Sequence, residues 1–163
     1  MTTATLADVF TAAPLAMLND QAPTGALSIP EIDAQLSSVS RSGKSGIAIG
    51  LIYLRHGHLE AAHQLSQDIS GQLGDWLHSI MHRLEGDYSN AHYWDRRTGE
   101  HALFADIDAA IKASDHDLRS NYSPAALTDA VAGLNGAFDS DPAEEIRAIQ
   151  GIEIAELFGF LTR

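Results

Sequence analysis

GDYSNAHYW, residues 86–94, restates GHLEAAHQL, residues 57–65, with glycine, alanine and histidine in register and an apolar residue at two further positions. Each copy follows an apolar run with helical spacing, roughly 46–55 and 75–85. A glycine that ends one helix by turning left-handed, followed by a second helix whose alanine permits close approach, is the pattern of a helical hairpin. Two such hairpins in succession decide the fold class, which is all-α.

The rest of the chain agrees. Apolar residues recur three and four apart, and no segment alternates as a strand would. Thr5 and Asp8 have capping-box spacing, with Pro14 placed to break the helix they open. The stretch 21–30 reads as a loop, and a helix is expected over Glu31–Val39, ending in the linker SRSGKSG. Gly-Lys-Ser in that linker is not a phosphate loop, because Ser38 stands where the required glycine should be and no strand precedes it. Downstream, Leu103, Phe104, Ile107, Ile111 and Leu118 mark one helix. Ser123-Pro124 and Asp141-Pro142 open two more. The last helix carries more apolar residues than one stripe needs, so it is either deeply buried or shared with a second copy in a homodimer.

With 163 residues, 45% of them hydrophobic and 20% charged, the chain can bury a core unaided, and one all-α domain over 1–163 is expected. The absence of cysteine excludes disulfide frameworks, thiolate nucleophiles and Cys-type zinc sites. Net charge is −12: residues 1–40 carry four acids and no base, and 103–163 carry eleven acids against four bases. That balance excludes nucleic acid as a partner. The longest apolar run, GIAIGLIYL at 46–54, is too short to cross a bilayer, and no positive charge precedes Arg41. A soluble cytoplasmic protein with no membrane partner is the expectation. The middle, 41–102, holds seven of the eight histidines and six of the ten basic residues.

In that middle, His78, His82 and Glu85 share a stripe on one helix. Two histidines four apart can reach one ion, and a carboxylate one turn on can ligate or orient. His63, on the flank of the preceding helix, can face them, and Asp87 lies in the following turn. The expected site is a divalent metal, zinc or iron, on His63, His78 and His82 with Glu85 or Asp87 supplying oxygen. The competing reading makes these histidines structural, filling polar holes between helices. The metalloprotease pattern HExxH is absent, since Ser79 follows His78. Arg83, Arg96 and Arg97 with His92 could clamp a carboxylate or phosphate, with Trp94 beside them, or the arginines could pair with local acids. His56, His58, His101 and His116 fall in or near expected turns and are read as exposed.

The paired hairpins resemble tetratricopeptide-type repeats, which would imply a groove for a protein partner, although the spacing is short of theirs and only two units are visible. HRLEGDYSNAHYWDRRTG, 82–99, also resembles an uncharacterised bacterial and fungal family whose members look like HR-x-EGD-[FY]-x-NA-x-YW-x-RR. The matched positions are His63, His78, His82, Arg83, Glu85, Gly86, Asp87, Asn90, Tyr93, Trp94, Arg96 and Arg97, while Leu84, His92 and Asp95 depart from the pattern. The resemblance covers about residues 46–100 and carries no activity with it. Two functions follow: a metal-dependent protein acting on or binding a small molecule, or a non-enzymatic helical adaptor.

Overall fold

The structure is a computed structural model describing residues 4–163. Among the described residues the chain forms nine helices and no strand: α1 Leu6–Ala12, α2 Ile29–Gln35, α3 Gly43–Arg55, α4 Leu59–Gln67, α5 Gln72–Glu85, α6 Tyr88–Thr98, α7 Leu103–Ala113, α8 Pro124–Gly133 and α9 Asp141–Thr162. Among the described residues no helix is long and apolar enough to cross a membrane.

Local chemistry sets most of the ends. Thr5 accepts from the Asp8 N–H while Asp8 takes the Thr5 N–H, completing the expected box, and α1 stops before Pro14. A second box, Ser28 with Glu31, starts α2 two residues ahead of the expected Glu31, and the helix ends at Gln35 instead of Val39. Ser123 caps α8 as expected, but the cap of α9 is Ser140, whose hydroxyl accepts from Ala143 N–H; Asp141 is already helical. Leu118 lies outside α7, in the loop beyond it.

The repeat is visible in the backbone. Gly57 and Gly86 both adopt positive φ, 78° and 84°, and are followed by His58 and Asp87 with φ/ψ of −95°/65° and −87°/72°. His58 N–H reaches back to Tyr53 C=O, and Asp87 N–H to His82 C=O, so both first helices end in the same six-residue closure. The hairpins α3–α4 and α5–α6 stand side by side, with α4 packed on α5.

One apolar cluster takes buried residues from every helix except α6. The faces that would line a groove between the hairpins are covered: α3 is buried from Gly46 to Arg55 and α5 from Gly74 to Leu84, with α9 lying across α3 and reaching α5 through its side chains. Ile149, Ile154, Leu157, Phe158 and Leu161 bury most of the apolar surplus of α9 within the chain.

α6 is held differently, by an antiparallel ladder of mostly polar pairs along α5. Arg97 bonds Asp75 at 3.3 Å, Trp94 stacks on His78 at 4.1 Å between ring centroids, Ser79 donates to Asp95, and Asn90 donates to His82 Nε2 at 3.1 Å. Ala91, fully buried, lets the helices approach between these rungs.

Candidate metal centre

The end of α5 and the start of α6 bring His82, Glu85 and Asp87 together. Gly86 turns the chain between them, so three donors close in sequence arrive from the end of one helix and the N-cap of the next. One ligand atom from each lies within 4.8 Å of the others. His82 is buried, whereas the Glu85 side chain is 55% exposed and Asp87 is exposed, so the set opens to solvent on its carboxylate side. Asp87 also caps α6, its carboxylate accepting from Asn90 N–H at 3.1 Å.

The other two imidazoles are neighbours of this set and not members of it. Ring centroids of His63 lie 5.6 Å from those of both His78 and His82, which are 6.4 Å from each other. Two imidazoles on one zinc bring their centroids to about 5 Å, given nitrogen bonds near 2 Å. The three expected imidazoles are thus neighbours, but their Nε2 atoms meet three different partners, Gln67, Ser66 and Asn90, and they do not form one ligand set as they stand.

Hydrogen bonding fixes two of the rings. His78 Nδ1 lies 3.1 Å from Gly74 C=O, which can only accept, so Nδ1 carries the proton and Nε2 presents its lone pair, 3.1 Å from the Ser66 hydroxyl. His82 Nδ1 lies 3.0 Å from a Glu85 carboxylate oxygen and by the same logic donates, leaving Nε2 to accept from Asn90. His78 has the form of a metal-ligating histidine, its Nδ1–H held by a carbonyl oxygen, whereas both nitrogens of His82 are engaged, and an ion at the joint would displace Glu85 from Nδ1 or Asn90 from Nε2. Burial, together with the proximity of His63 and His82, lowers the pKa of His78 against an opposing bond from Gly74 C=O. That ring is thus held neutral, as a ligand must be.

The anion clamp is not assembled. Arg83 turns away from the joint into the centre of the molecule, where it is 0% exposed and ion-paired with the equally sealed Glu153. Its Nε donates to Gln150 at 3.3 Å, while Glu153 also accepts from Trp76 Nε1 at 3.1 Å and from the Tyr122 hydroxyl at 2.7 Å. Burial, and then the charge of Glu153, push the Tyr122 phenol well above its ordinary range, so it remains a donor. His92 sits between two carboxylates, 3.2 Å from Asp95 and 3.0 Å from Asp129, so both ring nitrogens face acids and neither faces an anion site. Arg97 is taken by Asp75, whose charge raises its pKa, and its guanidinium lies 5.2 Å from the centroid of the Trp94 ring. Arg96 is exposed on the far side of α6. Trp94 flanks the centre as a wall of His78.

Sequence reading missed Glu153, Gln150 and Tyr122, since partners so far along the chain leave no local spacing to detect. His56 is another correction. It is wholly buried, its Nδ1 accepting from Leu27 N–H at 2.9 Å, because the segment leading to α2 folds over the α3–α4 turn. His58, His101 and His116 are half-buried where exposure was expected.

No family model matches the chain, and no curated protein or solved structure is similar enough to count as a relative.

Proposed function

We propose that this protein binds a divalent cation of the zinc or iron type at the α5–α6 joint, on His82, Glu85 and Asp87. The observation that carries the reading is the mutual approach of three donor atoms within 4.8 Å, drawn from an imidazole and two carboxylates. The mixture of nitrogen and oxygen suits zinc or iron better than magnesium or calcium, which prefer oxygen alone. His63 and His78 stand close enough to join or replace a carboxylate. An open side at Glu85 and Asp87 would leave room for a water or a small molecule on the ion.

The alternative, a tetratricopeptide-like adaptor with a structural histidine cluster, draws support from the α5–α6 ladder, which gives His78, His82, Asn90, Trp94 and Arg97 packing roles. It is weakened by α9, which lies across α3 and reaches α5 through Glu153, and by the burial of α3 and α5 on all sides. The half-exposed Glu85 and His63 are the positions the ladder does not explain.

The test is elemental analysis of tag-free protein, followed by thermal melting of the metal-free form with added zinc. Near-stoichiometric metal is expected. Melting should rise with zinc by the equivalent of about 2.7 kcal/mol at a hundredfold excess over Kd. Metal-free protein that zinc does not stabilise overturns the proposal. If His63→Gln abolishes binding and Asp87→Asn does not, the ion belongs to the imidazole triangle instead.

A further inference from the structure

A cavity distinct from the His82–Glu85–Asp87 set lies between α8, the first half of α9 and the loop through 117–120. It encloses about 990 Å³, within the range of sites that take small organic ligands. Its apolar lining comes from Ala126, Ala130, Leu134, Ile146 and Ile149, the alanines of α8 providing the depth that larger side chains would fill.

The charged groups along this groove are Asp117, Asp129, Glu145 and one base, Arg119. Glu145 is fixed in place, accepting from His116 Nδ1 at 3.1 Å and from Asp117 N–H at 3.0 Å, so the loop and α9 together hold its carboxylate beside the cavity. Asp129 meets His92 at 3.0 Å but keeps its side chain 75% exposed. The surrounding third of the chain, 103–163, carries eleven acids against four bases, so the local field adds to that of the rim.

From an apolar trough bordered by carboxylates in an acidic region, we propose that this groove binds a small amphipathic amine, with its apolar body on the alanines and isoleucines and its ammonium at Asp129 and Glu145. An anion would enter against the field. A neutral apolar molecule would leave the carboxylates without a new partner. The ammonium instead gains charge-assisted contacts at the mouth while its body loses water-exposed apolar surface.

The test uses the full chain, ¹⁵N-labelled, titrated with octylammonium, octanol and octanoate below their aggregation concentrations. Saturable amide shifts at Ala126, Ala130 and Ile146 are expected for octylammonium. Its affinity should exceed that of octanol by about fivefold for each carboxylate engaged, and that of octanoate by more. Asp129→Asn with Glu145→Gln, which removes both charges and keeps one acceptor oxygen at each position, should bring octylammonium down to the level of octanol, and Ala130→Leu should block all three. Should Ala130→Leu fail to fold, Asp129→Asn alone, at an exposed position, still decides the charge dependence. Equal affinity for the three probes, shifts confined to other helices, no saturable binding, or octylammonium affinity unchanged in the charge variants would each overturn the proposal.

Discussion

His82 and Arg83 are adjacent, yet they serve two polar centres of opposite character. Arg83 enters a sealed knot with Glu153, Gln150, Trp76 and Tyr122, in which both carboxylate oxygens of Glu153 have partners and neither charged side chain is exposed. His82 enters a joint that is buried at the ring and open at its carboxylates. A buried charge must be matched by protein groups, because removal from water costs several kcal/mol per ion, so the first centre is complete in itself. The second keeps carboxylates in solvent at no such cost and can take a further partner. The difference lies in saturation, and it separates a structural centre from a candidate binding centre more cleanly than residue type does.

The strongest way to break this contrast is to open the knot. Arg83→Met should cost about 3–5 kcal/mol by leaving Glu153 buried with its charge uncompensated, measured by urea denaturation. Arg83→Met with Glu153→Leu should recover part of that loss; a double variant no better than the single one would mean that packing, and not charge, holds the centre.

At the open joint the order of effects reverses. Asp87→Asn should lower zinc affinity at least tenfold, about 1.4 kcal/mol, in a calorimetric titration while changing metal-free stability little, because asparagine still caps α6. Asp87→Ala should cost metal-free stability a further 1 kcal/mol or so by removing the cap. Equal metal-free stability of the two variants would show that the cap is idle.

A smaller effect tests a buried histidine outside both centres. Burial lowers the pKa of His56, assisted by His58 and Arg55, and its Nδ1 must stay unprotonated to accept from Leu27. A depressed folded pKa contributes stability that is fully present above the unfolded value near 6.5 and is lost as pH falls from there through the folded value. Melting temperature should therefore begin to fall below about pH 6.5. His56→Gln should flatten that part of the profile, and an unchanged slope would assign it to other groups. The smallest expected change is Arg97→Ala, whose solvent-screened pairing with Asp75 should leave the same melts nearly unmoved.

What the sequence discloses follows the range of the interactions. The capping box at Thr5, the cap at Ser123, and the two glycine turns are settled within a few residues and are legible. So is the proximity of His63, His78 and His82, since helical spacing aligns the latter two and the short connection between α4 and α5 makes the helices neighbours. The centroid distances of 5.6 and 6.4 Å required the packing itself. Arg83 could not be placed from its neighbours, because Glu153 lies 70 residues on. His56 reads as a turn residue because Gly57 follows it. Only the folding of the 13–28 segment over it, fixed by the Leu27 bond, buries it.

The stacking of Trp94 on His78 gives the molecule a built-in optical reporter. Trp76 and Trp94 are its two indoles: the first is sealed against Glu153, while the second lies flat on a ring of the histidine cluster. With Trp76 replaced by phenylalanine, the emission of Trp94 alone will register a proton or a quenching ion arriving at the histidines, with no added dye.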